Sequence, residues 1–131
     1  MNLNELKNLL CEHTCVVLKG EQIYFSDERG IRPVVDWLKK NSRFFEGAQV
    51  ADRVIGKAAA MLLCYGGVKS VFAGVISEPA LKILQDNGVS YSYEKLVPYI
   101  ENRDKTGRCP METRALPLVS LGEAYRVFLD L

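Results

Sequence analysis

The spacing of hydrophobic residues along the first third of the chain predicts a helix, a strand hairpin and a second helix. Four leucines within residues 3–10 fall on one side of the first helix. The β-branched run at residues 14–18 predicts a buried strand, and residues 22–26 predict the return strand of a hairpin. Pro33 lies near the start of the second helix, where its missing N–H costs nothing, and residues 39–41 end that helix with two lysines.

The central stretch predicts the buried middle of a sheet. Asp52 is a candidate N-cap for a helix that runs through an alanine-rich segment to Tyr65. After a glycine pair, residues 70–77 form a continuous apolar run, as in strands that are covered on both faces. A further helix at residues 78–86 and a strand at residues 89–93 follow. This order predicts parallel strands with right-handed crossovers, and the hairpin adds an antiparallel edge.

After Tyr99 the chain loses this periodicity. Residues 100–114 are polar and rich in turn residues, and residues 122–131 predict a short closing helix. No repeats or linkers interrupt the 131 residues, so we expect a single domain over residues 1–131. The predicted fold class is α/β, with a mixed sheet of four to five strands, an N-terminal hairpin and helices on both faces.

The charge balance limits the classes of partner that we expect, and the cysteines indicate the cellular location. With 17 basic and 16 acidic residues the net charge is +1, so we expect neither nucleic acid nor an anionic membrane as a partner. The longest apolar stretches fall far short of the roughly 20 residues that a membrane span needs, and no targeting segment is visible. The four cysteines form no C-x-x-C pair, which argues against a disulfide framework and favours a reducing cytoplasm.

The order of elements over residues 4–97 resembles the three-layer cytidine-deaminase-like fold. In that family the first zinc ligand and the proton-shuttling glutamate begin the helix before the central strand, where residues 56–60 here read Gly-Lys-Ala-Ala-Ala. The other two ligands lie in a P-C-x-x-C motif that opens the next helix. Here Pro79 is retained, while Ala80 and Ile83 stand in place of the thiolates. Because a zinc-bound water needs three N or S ligands, the resemblance implies a domain without metal, cofactor or zinc deamination.

A second resemblance rests on two motifs. The run D-x-V-I-G-K-A-A-A at residues 52–60 and the run N-R-x-x-x-x-x-C-P-M-E-T at residues 102–113 are similar to an uncharacterised bacterial family of unknown function. That family is associated with a deaminase-like fold that has lost its metal. The resemblance implies that four residues belong to one site: Asp52, Lys57, Cys109 and Glu112.

Lys57 is the first candidate for chemistry, because it lies within about a turn of a helix start. The positive end of the helix dipole and burial both disfavour an ammonium there, which leaves an amine able to act as nucleophile or base. The alternative is a solvated lysine whose stem covers apolar surface. Asp52 is correspondingly either a helix N-cap or a group that orients Lys57.

Cys109 is the second candidate, since it precedes Pro110 at a predicted helix start. A thiol at a helix N-terminus beside Arg108 favours the reactive thiolate. The alternative is a structural capping box, in which Cys109 replaces a serine and Glu112 is the reciprocal cap. Arg103 and Arg108, with Lys105, form a cationic cluster that could bind a carboxylate or phosphate, although exposed loop charges are usually only solvated.

These residues predict a metal-independent small-molecule site around Lys57 and Cys109. A nucleoside-like or nucleotide-like ligand follows from fold analogy alone. Two other classes stay open: a non-catalytic ligand-binding or regulatory domain derived from a deaminase, and a structural partner protein that forms a homo-oligomer. The shared site requires the Lys57 amine and the Cys109 sulfur to meet in one pocket, because hydrogen bonds reach only about 3 Å.

Overall fold

The computed structural model describes residues 3–102 and 105–130, and its backbone forms five strands and six helices within those ranges. In chain order these elements are α1 (Leu3–Leu9), β1 (Cys15–Lys19), β2 (Gln22–Ser26), α2 (Arg32–Lys40), β3 (Gln49–Ile55), α3 (Lys57–Tyr65), β4 (Ser70–Ser77), α4 (Glu78–Asp86), β5 (Ser90–Val97), α5 (Pro110–Ala115) and α6 (Leu121–Leu129). None of these helices is long and apolar enough to cross a membrane.

The strands form one mixed sheet in the order β2-β1-β3-β4-β5. β1 pairs antiparallel with both β2 and β3, whereas β3, β4 and β5 run parallel to one another. The predicted hairpin is therefore the antiparallel edge of the sheet, and the prediction of a mixed α/β sheet is confirmed. β5 forms the opposite edge and continues four residues beyond the predicted strand, to Val97.

Two hydrophobic cores lie on the two faces of the sheet. On one face α1 packs Leu6 against Val16, Leu18 and Phe72. On the other face the larger core joins β1, β3 and β4 to α2, α3, α4, α5 and α6. Alternation explains the division, since successive side chains of a strand point to opposite faces. In β1, Cys15 and Val17 belong to the larger core, while Val16 and Leu18 face α1.

The prediction that Asp52 is a helix N-cap is wrong. Residues 49–55 form β3, and the helix begins only at Lys57, with Gly56 at the N-cap position. β3 lies between β1 and β4, so backbone pairing on both sides overrides the local helix signal of the alanine-rich segment that follows. The sequence Q-V-A-D-R-V-I also lacks the clean alternation that identifies a half-buried strand.

The alternation is interrupted in β3 and β4 at the same level of the sheet. Asp52 pairs with Cys15 of the larger core, and Ile55, three residues later, belongs to that core as well. Gly74 lies beside this interruption, where an added Cβ would stand 2.7 Å from the Arg53 carbonyl oxygen. Glycine is therefore required at position 74 because the neighbouring backbone approaches too closely for a side chain.

Candidate functional site

The carboxyl end of β3 leads directly into α3, and α5 packs across this junction. Gly56 connects the last residue of β3 to Lys57, the first residue of α3. Glu112 of α5 reaches this point, where its Oε2 accepts a hydrogen bond from the Lys57 backbone N–H at 2.8 Å. Ligands in open α/β sheets bind outside the carboxyl ends of the strands, so this junction lies where a site is expected.

Glu112 supplies the cap that α3 lacks locally. Gly56 has no side chain to accept a hydrogen bond from the first turn, and the carboxylate of Glu112 takes that role from 55 residues away. A Cβ at position 56 would overlap Glu112 Oε2, so the glycine makes room for the carboxylate. The negative charge is also favoured beside the positive end of the helix dipole.

The second oxygen of Glu112 has no such partner. The Glu112 residue is only 2% exposed, and its Oε1 is buried without a hydrogen bond among the described residues. Buried polar atoms are nearly always hydrogen-bonded, because leaving one unpaired costs a few kcal/mol. Glu112 therefore carries an unused acceptor at the junction of α3 and α5.

Cys109 occupies the N-cap position of α5, as predicted. Its thiol makes no capping hydrogen bond and is partly exposed. Its backbone N–H donates to the Ile100 carbonyl at 2.8 Å, while the Glu112 carboxylate bonds to Lys57 instead. The capping-box interpretation of Cys109 and Glu112 is therefore wrong, because Glu112 caps α3 rather than its own helix.

The Lys57 amine lies at the other end of α5. Its Nζ donates hydrogen bonds to the Leu116 and Leu118 carbonyls, both at 2.9 Å. These carbonyls follow the last residue of α5, so the amine closes the C-terminal end of that helix. Cys109 stands at the opposite end of α5, whose six residues span roughly 9 Å along the helix axis at 1.5 Å per residue. The structure thus joins Lys57 to Glu112 through its backbone N–H, while its amine bonds at the end of α5 opposite to Cys109.

Asp52 lies in the larger core beside Cys15, its neighbour across the β1–β3 pair. Asp52 is 5% exposed; its Oδ1 accepts the Val54 N–H at 3.3 Å, and its Oδ2 has no partner among the described residues. Burial raises the pKa of Asp52 to about 7, against the lowering effect of nearby backbone N–H groups and the Cys15 thiol. Burial, together with the Asp52 charge, raises the pKa of Cys15 well above its usual range.

The predicted cationic cluster is only partly described. Arg103 lies outside the described residues. Arg108 places its guanidinium over the Tyr99 ring, 5.0 Å from the centroid, and its backbone forms a bridge with Glu101. Within the described ranges no three His, Cys, Asp or Glu side chains cluster closely enough to hold a metal ion.

A cavity on the α1 face of the sheet is a feature that the sequence patterns do not predict. This cavity has a volume of about 300 Å³ and is lined by Lys7, Asn8, Leu10, Cys11, Arg53, Phe72, Gly74 and Glu94. Its walls come from four separate segments: the end of α1, β3, β4 and β5. The one available signal was Gly74 within an apolar strand, since such a glycine marks a close approach of backbone.

Comparisons with known proteins identify a family without assigning an activity. The sequence profile of DUF1893, a domain of unknown function, matches residues 5–131. The chain is also similar to the crystal structure of a DUF1893 family protein from Thermotoga maritima. The two are 31% identical, with a TM-score of 0.86 over 99% of this chain and 91% of that chain. No curated protein matches. The predicted resemblance to a family of unknown function is confirmed.

Proposed function

The chain belongs to the DUF1893 family, and we propose that it binds a small polar molecule, without a metal ion, at the junction of α3 and α5. The observation that carries the proposal is the buried Glu112 carboxylate, whose Oε2 caps α3 and whose Oε1 has no partner among the described residues. A ligand that donates an N–H or O–H to Oε1 completes the hydrogen bonding of this carboxylate. Binding then removes the free-energy cost of leaving Oε1 unpaired in the folded protein.

The ligand class in this proposal is nucleoside-like or nucleotide-like. A nucleobase offers ring N–H and exocyclic amino donors of the kind that a buried carboxylate accepts. This part of the proposal includes a cytidine-deaminase-like fold and rests on the order of elements around the sheet. Arg108, whose guanidinium is exposed over Tyr99, adds a positive charge on the loop that precedes α5, where an anionic group of the ligand would be attracted.

The other candidate residues take distinct roles. Cys109, a free and partly exposed cysteine at the N-cap of the same helix as Glu112, is the proposed nucleophile of the site. Lys57 is a positioning residue, because its backbone N–H orients Glu112 and its amine closes the far end of α5. Asp52 belongs to the core, and within the described part of the chain no hydrogen bond or ion pair joins it to Lys57. The four cysteines are unpaired, which supports a reducing bacterial cytoplasm as the location.

Titration calorimetry with cytidine and cytidine 5′-monophosphate on EDTA-treated protein tests the proposal. Glu112→Gln keeps the shape of the side chain but replaces an acceptor oxygen with an amide donor. We expect at least one probe to bind, and Glu112→Gln to weaken binding by about tenfold or more, as for a hydrogen bond to a charged group. Glu101→Gln, on an exposed glutamate of the preceding loop, is the matched control and should leave binding unchanged.

A second measurement uses the wild-type protein and therefore does not depend on whether the Glu112 variant folds. In the wild-type protein, a bound probe should slow the alkylation of Cys109 by iodoacetamide, followed by mass spectrometry. If neither probe binds, or if folded Glu112→Gln binds as tightly as the wild type, the proposal is overturned. Chemical conversion of the bound probe would show that the protein is an enzyme. Binding without turnover would show that it is a non-catalytic ligand-binding domain.

A further inference from the structure

The cavity beneath α1 is lined by two cationic side chains and lies on the opposite face of the sheet from the larger core. Leu10 and Phe72, which both belong to the smaller core, form its apolar wall. Lys7 and Arg53 supply positive charge, and Glu94 is the one acidic residue in the lining. The lining therefore carries a net charge of +1, from two cations and one anion, in a space at the lower end of known ligand-pocket volumes.

Arg53 is held in place by the end of α1. Its Nε donates to the Leu10 carbonyl at 2.8 Å, which ties one edge of the guanidinium to the backbone. The remaining guanidinium N–H groups have no hydrogen-bond partner among the described residues. A planar guanidinium that is already oriented loses little freedom when it binds a carboxylate or phosphate, so it forms a pre-organised anion contact.

Lys7 lines the same cavity as Arg53. Its ammonium lies 5.1 Å from the centroid of the Phe72 ring and 3.1 Å from Glu94 Oε1. The side chains of Lys7 and Glu94 are 42% and 56% exposed, and an exposed ion pair of this kind contributes little stability. An incoming anion can therefore replace Glu94 as the partner of Lys7 at small cost.

We propose that this cavity binds a small organic anion, either a carboxylate or a phosphate monoester. The negative group lies between Arg53 and Lys7, and the apolar part of the ligand lies against Leu10 and Phe72. Gly74 leaves the floor of the cavity free of a side chain, because the Arg53 backbone excludes a Cβ there. The site shares no residue with the Glu112 junction, so the two sites can be tested independently.

Cys11 provides a reporter, since its exposed thiol lines the cavity. The rate of Cys11 alkylation by iodoacetamide is measured by peptide mass spectrometry with benzoate, phenyl phosphate or neutral benzamide present. We expect at least one of the two anions to slow Cys11 alkylation several-fold, while benzamide has no effect and Cys109 alkylation is unchanged. Protection by benzoate alone identifies a carboxylate ligand, and protection by phenyl phosphate alone identifies a phosphate ligand.

Two variants test the cationic side chains. Arg53→Gln should abolish the protection, and Lys7→Gln should weaken it while keeping the anchored guanidinium. Arg32→Gln is the matched control, because Arg32 is an exposed arginine on α2 with only a helical ion pair to Asp36. Lys7→Gln keeps the test valid should Arg53→Gln fail to fold. If benzamide protects as well as the anions, if no probe protects, or if the folded variants keep full protection, the proposal is overturned.

Discussion

Replacement of Asp52 by asparagine should remove a strong pH dependence of stability. Asp52 is buried in the larger core beside Cys15, and burial raises its pKa from 3.8 to about 7 in the folded protein. In the unfolded chain the carboxyl loses its proton near pH 3.8, whereas the folded protein keeps the proton until about pH 7. The folded state therefore binds more protons throughout this window. Its stability falls as the pH rises from 4 to 7 and is level on either side.

The difference of about three pKa units corresponds to roughly 4 kcal/mol over the whole window, at 1.36 kcal/mol per unit. Between pH 5 and pH 8 the same linkage relation gives a loss of about 2.6 kcal/mol in the free energy of unfolding. Asparagine has a similar shape and cannot ionise, so Asp52→Asn should lack this component. The slope is the informative quantity, because the absolute stability of the variant also depends on how its amide is hydrogen-bonded.

Urea unfolding at pH 5, 6, 7 and 8, followed by circular dichroism, measures these slopes. Every other titrating group is common to the wild type and the variant, so the difference between the two curves isolates Asp52. Asp36→Asn is the matched control, since Asp36 is half-exposed on α2 and should leave the wild-type slope in place. Equal pH dependence in wild type and Asp52→Asn would refute the assignment of a buried, neutral carboxyl.

Three further predictions concern the junction and the thiols. Gly56→Ala forces a Cβ against the buried carboxylate of α5 and should cost about 1–3 kcal/mol in urea unfolding, whereas Gly107→Ala, in open space, should cost little. Lys57→Met removes two hydrogen bonds from the C-terminal end of α5 and should cost about 1–3 kcal/mol; an unchanged urea midpoint would contradict this role. Cys11 should react with Ellman's reagent well before Cys64, because Cys11 is exposed and burial raises the pKa of Cys64 to about 11.

The elements that the sequence predicts correctly are those whose determining interactions are local. The hairpin of β1 and β2, the Pro33 helix start and the apolar strand β4 follow from turn residues and periodicity within a few positions. Cys109 was also placed correctly at the start of α5, because a following proline marks the first turn of a helix.

The candidate site was less predictable, because its contacts join segments far apart in the chain. Glu112 stands three residues after Cys109, which is the spacing of a local capping box, yet its carboxylate caps α3, 55 residues earlier. Lys57 lies at a helix start as expected, but the direction of its amine depends on where α5 ends. Neither the helix that Glu112 caps nor the direction of the Lys57 amine has a periodic signal in the sequence.

Hydrophobic spacing and turn residues are enough to predict the α/β class, the mixed sheet and the N-terminal hairpin, since they act over a few neighbouring positions. In contrast, residues 49–55 form a central strand because their pairing with β1 and β4, a long-range interaction, outweighs their local preference. The same long-range packing buries the carboxyl of Asp52, for which the sequence predicts a helix N-cap. It also assembled the cavity around Arg53 from four segments, because a cavity is defined by where elements meet.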